Sequence, residues 1–290
     1  METVENIKAP VHALVCFHDA ETARAMSETA AFLAFSGSEN SSITFLHLTD
    51  EDIEPVHSVN EDEYQSKAFK TLVGKFDKNK FSVRTFIKKT NDHITEVKRT
   101  IKEQNFNLLI YGMNNKNITP ALCSRLSKLK GDPTISELEI KDHFKPNEWL
   151  MMNRVSDLFN LNSVTTCVFI NNNLRGLNRF FVPILGTTDA KVLPSTVTRF
   201  ARKENAEFMI WDAIGAIDKD QKLQKFYNTF QKVTDDKVFL WDTDKKIEVD
   251  FILLQDLCIM GVEGWNKLVR TNLPWIEYLP STLIIKSKTT

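Results

Sequence analysis

Two stretches of the chain carry glycines and acidic residues at a spacing that could hold an anion. Residues 257–264 read LCIMGVEG, so Gly261 and Gly264 follow an apolar run with two residues between them. Glycines placed there let backbone N–H groups approach a phosphate at a helix start. Upstream, an apolar run ending at Leu185 is followed by Gly186, Thr187, Thr188 and Asp189, and Glu263 lies between the two later glycines. The first half has a counterpart. A run ending at Phe17 leads into His18 and Asp19, and NLLIYG ends on Gly112, followed by Met113, Asn114 and Asn115. Asn115 stands where a second glycine would complete the pattern. A GxxG pair alone is weak evidence for a ligand and more often serves a plain structural turn.

Other chemistry finds less support. No serine sits in a GxSxG elbow, and no Ser-His-Asp or Cys-His arrangement has a motif behind it. The pair Asp235-Asp236 reads as solvated turn residues. No catalytic residue is therefore expected, and the chain reads as a non-enzyme. The cysteines Cys16, Cys123, Cys167 and Cys258 include no CxxC pair, which argues against a zinc site and for reduced thiols in a cytosolic core. No metal ligands are assigned. His18 and Asp19, with His47 at the end of a neighbouring strand, allow a proton-responsive cluster or a weak metal site; solvated and half-buried histidines are the plainer alternative.

These residues must be placed by regular elements, and the pattern supplies them. Apolar runs alternate with helix-like stretches, which indicates parallel βαβ units. In the first half, strands are expected at 13–17, 43–48, 81–87, 108–111 and 165–170, with helices at 21–35, 64–76, 93–104 and 149–159. In the second half, strands are expected at 180–185, 207–212, 238–241, 257–261 and 283–285, with helices at 190–203, 222–233 and 247–255. The halves also end alike. Residues 149–171 and 265–287 align without a gap, matching Trp149 with Trp265, Arg154 with Arg270, Phe159 with Trp275 and Thr166 with Thr282. The expected fold is α/β: two tandem doubly wound parallel five-stranded sheets packed as a pseudo-dimer, with the fifth strands as the contact. The first domain spans 1–173 and carries an insert at 113–148; the second spans 174–290. Asn171-Asn172-Asn173 reads as the linker. Each ligand crevice would lie beyond the carboxyl ends of strands one and four. The candidates there are His18, Asp19, Gly112, Asn114 and Asn115 in the first half, and Gly186, Thr187, Gly261, Glu263 and Gly264 in the second. Trp149 and Trp265 could stack on a planar ligand, but packing against the sheet is the commoner role.

Composition narrows the function classes. The 290 residues carry 37 Lys and Arg against 38 Asp and Glu, a formal net charge of −1, so no overall field draws the chain to nucleic acid. No apolar run approaches the ~20 residues that span a bilayer. The opening METVENIKAP lacks the basic and apolar regions of a secretory signal. Residues 49–63 are acidic and 67–102 basic, which fits either solvated helix faces or a face for an acidic partner or lipid headgroups.

The five-strand order, the short loop after strand one and the glycine after strand four resemble the universal stress protein family. Nucleotide-binding members have an acidic residue after strand one. After strand four they carry Gly, two residues, Gly, nine residues, then Gly-Ser or Gly-Thr. Here Leu185 occupies the acidic position of the second half, and Pro274-Trp275 stands at the last one. The motif is degenerate, so ATP is not expected and no cofactor is assigned. A narrower resemblance rests on TTCVFINNN, RFFVPILGTTDAKVL and WNKLVRTNLPWIEYLPSTLIIK. These are similar to the cytosolic C-terminal tandem of universal-stress-like domains in sodium/proton antiporters of Bacteroidetes. That resemblance implies a cytoplasmic regulatory domain at the inner face of the membrane. Its partners would be a transmembrane antiporter domain in the same polypeptide, an unknown small ligand and, in a homodimer, a second copy. A free-standing tandem stress protein binding a nucleotide or other small molecule is the alternative.

Overall fold

The computed structural model describes residues 10–34, 40–50, 81–114, 154–242 and 244–288, with a few positions between 122 and 136. The expected helix at 64–76, most of the 113–148 insert, Asn115 and Trp149 lie outside them. The chain divides into two compact units. One comprises Met1–Met113, Leu158–Phe169 and Ser287–Thr290; the other comprises Asn114–Asp157 and Ile170–Lys286.

In the first unit, β1 (His12–Phe17) leads to α1 (Ala20–Ala34), then β2 (Ser41–Thr49), β3 (Phe81–Lys89), α2 (His93–Gln104), β4 (Leu108–Asn114) and β5 (Thr165–Asn171). The strands lie in the order β3-β2-β1-β4-β5. Pairings of β1 with β2, β1 with β4 and β2 with β3 are parallel. The chain thus builds outward from β1 to β3, then returns to the other side of β1. β1 is the central strand and is apolar almost throughout, as strands covered on both faces are. α1 buries Ala23, Met26, Ala30 and Leu33, the small and apolar residues at helical spacing. β3 closes the sheet on one side and exposes Lys88 and Lys89, charges that discourage edge pairing.

The second unit repeats this plan. β6 (Arg179–Ile184), α3 (Thr187–Phe200), β7 (Glu207–Asp212), α4 (Ala216–Lys219), α5 (Gln221–Val233), β8 (Val238–Leu240), α6 (Val249–Leu253), β9 (Leu257–Gly261), α7 (Val262–Leu268), a 3-10 turn at Pro274–Tyr278 and β10 (Ser281–Lys286) follow one another. The order β10-β9-β6-β7-β8 is that of the first unit, strand for strand, and every pairing is parallel. Both units are therefore Rossmann-like α/β layers with the switch between first and fourth strands.

Three local features differ from expectation. α4 is a short extra helix, capped by Asp212, whose carboxylate accepts the N–H groups of Ala216 and Ile217 at 2.9 and 2.7 Å. α7 starts at Val262, ahead of Trp265, and Pro274 opens a separate 3-10 turn. The Asn triplet is not a loose linker. Asn171 is buried, Asn172 donates to the Leu279 carbonyl at 2.7 Å, and Asn173 adopts a left-handed φ of 54°. Behind β6, an aromatic cluster seals the second core: Trp275 lies 5.9 Å from both Phe181 and Trp211, edge to face, which favours their ring quadrupoles.

Candidate functional site

In the second unit, the ladder between β6 and β9 joins only Phe180 with Leu257 and Phe181 with Cys258. Pro183, which has no N–H, sits where that ladder would continue. The strand ends therefore part, and the gap lies beside the glycine pair. It is not open. Asp189, in the first turn of α3, points its carboxylate into it and is fully buried. Oδ2 accepts the N–H groups of Leu185 at 3.1 Å and Gly186 at 2.9 Å, closing the start of α3. Oδ1 accepts the N–H of Gly264 at 3.0 Å, in the first turn of α7. Burial raises the Asp189 carboxyl above the ordinary carboxylate value, and the three N–H bonds oppose that rise.

The glycines are explained by this carboxylate. A methyl at Gly264 would overlap it, 3.0 Å from Cγ, and one at Gly261 would overlap it too, 3.1 Å from Cγ. Close approach to an anion is what the motif implies, and here the anion is the chain's own. A second carboxylate caps the rim. Glu263 Oε2 accepts from the Thr188 hydroxyl at 2.6 Å and from the Thr188 N–H at 3.0 Å. Oε1 pairs with Lys267 Nζ at 2.8 Å, and Lys267 also donates to the Leu185 carbonyl at 2.9 Å. The Lys267 ammonium and the Thr188 donors hold the Glu263 carboxyl down at about 2. A methyl at Gly186 would meet Glu263 Oε1 at 2.6 Å.

The first unit fills the same position with rings. Register sets them: Tyr111 pairs with Cys16 on β4, and His47 pairs with Phe17 on β2. The His18 Nε2 is hydrogen-bonded to the fully buried Tyr111 hydroxyl. His93, the first residue of α2 and only 4% exposed, stacks on His18 with ring centres 4.2 Å apart. His47 donates from Nε2 to the His18 carbonyl at 3.1 Å and lies against the Phe17 ring, 5.2 Å between centres. Asp19 accepts the N–H and hydroxyl of Thr22 at 2.7 and 2.9 Å, capping α1. Among the described residues, no group of three or more His, Cys, Asp or Glu side chains could hold a metal ion.

His18, Asp19, Gly112 and Asn114 thus stand at the ends of β1 and β4, and Gly186, Thr187, Gly261, Glu263 and Gly264 at the ends of β6 and β9. Gly112 turns towards α1, where a methyl would fall 2.7 Å from Thr22 Cγ2; its role is close helix packing. Thr187 is exposed at the start of α3, and Trp265 is buried behind α7. Glu263 lies in the first turn of α7, bonded to two residues, Thr188 and Lys267. Three residues that the site needs lay outside the motif reading, Lys267, His93 and Tyr111; Asp189, named there only as a neighbour of the glycines, is the centre. An acidic residue three positions into a helix that starts with glycine is a capping signal and could have flagged Asp189.

No protein-family profile matches the chain, and no curated protein sequence matches it. Among the described residues no helix is long and apolar enough to cross a membrane. A solved structure does share the fold over the whole length. It is the cytoplasmic domain of a prokaryotic cation chloride cotransporter, similar to this chain at a TM-score of 0.52 and 12% identity, with 97% of this chain and 96% of that one covered.

Proposed function

We propose that this chain is a non-catalytic cytosolic regulatory domain of an ion transporter, and more narrowly of a cation/proton antiporter. The observation that carries the reading is the end-to-end match to a transporter's cytoplasmic domain, which covers both α/β units rather than one. The tandem repeat of one strand order supports it, as does the similarity of residues 265–286 to the antiporter tails of the universal-stress type. The two crevices then divide the work. In the second, Asp189 takes the bonds a phosphate would need, so this unit is a structural joint with no resident nucleotide. The first unit, with His18, Asp19, Gly112 and Asn114 at its strand ends, is the sensing half and biases the transmembrane domain through small changes in these turns. Asn115 belongs to the same proposed turn by sequence.

Immunoblotting of fractionated cells with an antibody to this chain tests the reading. A band much heavier than 33.3 kDa in the membrane pellet is expected. A soluble band near 33.3 kDa overturns it in favour of a free-standing stress-type protein, whose ligand a nucleotide and metabolite screen would then seek.

A further inference from the structure

We infer that the stacked pair His18–His93 is a proton-operated latch between the β1–α1 turn and the start of α2. The two imidazoles are face to face with centres 4.2 Å apart and planes 23° from parallel, a contact that holds while at most one ring is charged. A second proton would set two like charges at that separation. His93 is additionally buried, and it stands at the positive end of the twelve-residue helix α2, where a cation is disfavoured. Histidines in unfolded chain take up protons near pH 6.5. Acidification through that range therefore favours any state in which the rings part.

Charged and titratable groups face the ring pair from several elements. On β1, Cys16 is a buried thiol pushed up by burial. On the following turn, Asp19 is engaged with Thr22. α1 faces this end with Thr22 and Met26, while Glu21 and Arg24 are exposed. From β2 comes His47, held to the His18 carbonyl. β3 brings Lys88, 3.9 Å from Glu96, and Lys89. On α2, Asp92 caps Thr95 and Glu96 is bound by Arg99 at 2.6 Å. β4 contributes Tyr111, on His18 itself. Among the described residues, Asp19, Asp92 and Glu96 are each engaged with another group. Parting the rings moves His18 away from the Tyr111 hydroxyl and frees the turn that carries Asp19, the cap of α1.

This deepens the regulatory reading by naming its stimulus, and depends on that reading only for its physiological consequence. The test uses the full 290-residue chain. Ring NMR signals are followed between about pH 5 and pH 8, together with amide hydrogen exchange corrected for intrinsic pH dependence. Two resolved titration steps are expected, about one pH unit or more apart. Exchange at residues 19–23 and 94–97 should rise about ten-fold from pH 7.5 to pH 5.5, a factor that corresponds to a modest local opening. His93→Phe keeps a ring in the stack but removes its proton, and should abolish most of that rise. If His93→Phe does not fold, Tyr111→Phe and the wild-type titration decide. One shared step with unchanged protection overturns the latch, as does an undiminished rise in the His93→Phe chain. A soluble 33.3 kDa band with two titration steps would remove the transporter and leave the latch standing; a membrane band with a single step would do the reverse.

Discussion

Gly264→Ala should destabilise the second unit, although alanine is the better helix former. The site is inside α7 with ordinary helical neighbours, so propensity alone favours the substitution by about 1 kcal/mol. The new methyl, however, overlaps the Asp189 carboxylate, 3.0 Å from Cγ. That carboxylate cannot swing aside cheaply, because it is bound to Leu185, Gly186 and Gly264 on two separate elements. Displacing it leaves buried N–H groups without their anion, at about 1–3 kcal/mol each. Setting the helix gain against the loss of two such bonds gives a net cost of about 1–5 kcal/mol. For a unit of this size that lowers Tm by roughly 2–20 °C. Urea unfolding followed by tryptophan fluorescence is the direct assay, since Trp211, Trp241, Trp265 and Trp275 all belong to the second unit. The decisive comparison is a double-mutant cycle. Asp189→Ala alone should cost about 3 kcal/mol or more through the three orphaned N–H groups. Adding Gly264→Ala to it should then recover up to about 1 kcal/mol, reversing the sign seen in the wild-type background. An equal cost in both backgrounds, with coupling below about 0.5 kcal/mol, would refute the claim that the glycine exists to admit Asp189.

Glu263 gives a pH dependence of known sign. Its carboxyl sits at about 2 in the folded chain against 4.5 ordinarily, so its contribution is complete above pH 4.5 and is lost as pH falls towards 2. Glu263→Gln should flatten that part of the acid-unfolding curve and cost only about 1 kcal/mol at neutral pH, because the pair with Lys267 is partly solvated. An unchanged acid limb would falsify that assignment. Cys16 and Cys258 are fully buried thiols whose protonated form burial favours strongly; they should react with a thiol reagent at the rate of unfolding, whereas rapid labelling of either in native chain would contradict the packing of β1 and β9.

The two units show how one topology is put to different ends. Both place the first and fourth strands side by side, and beyond their carboxyl ends is the place where this kind of sheet takes ligands. In the second unit the gap is closed by two carboxylates whose donors are backbone N–H groups, a threonine and a lysine. Such bonds are charge-assisted and mutually oriented, which suits a rigid joint. In the first, the contacts are aromatic and titratable. Stacked imidazoles keep their place only while at most one ring is charged, which suits a responsive turn.

Strand order within each unit was legible in the sequence. Hydrophobic alternation is a local signal, and β7 and β9 begin and end at the residues it marks. The repeat of DLCIMG and NLLIYG also placed the fourth strands, and with right-handed crossovers that placed the crevices. The polar triplet at 171–173 opens the connection between β5 and β6, but composition says where a turn is and not what holds it, here the Leu279 carbonyl on Asn172. What fills the crevices was decided only in three dimensions. Asp189 lies 75 residues from Gly264, and His18 lies 93 from Tyr111. No pattern of local spacing relates residues so far apart; parallel register and the return of the chain past the first strand do. The sequence by itself determined that a glycine pair would stand at a helix start able to receive an anion. Only the tertiary structure decided that the anion is the chain's own carboxylate, because only folding brings the first turn of α3 within hydrogen-bond reach of the first turn of α7.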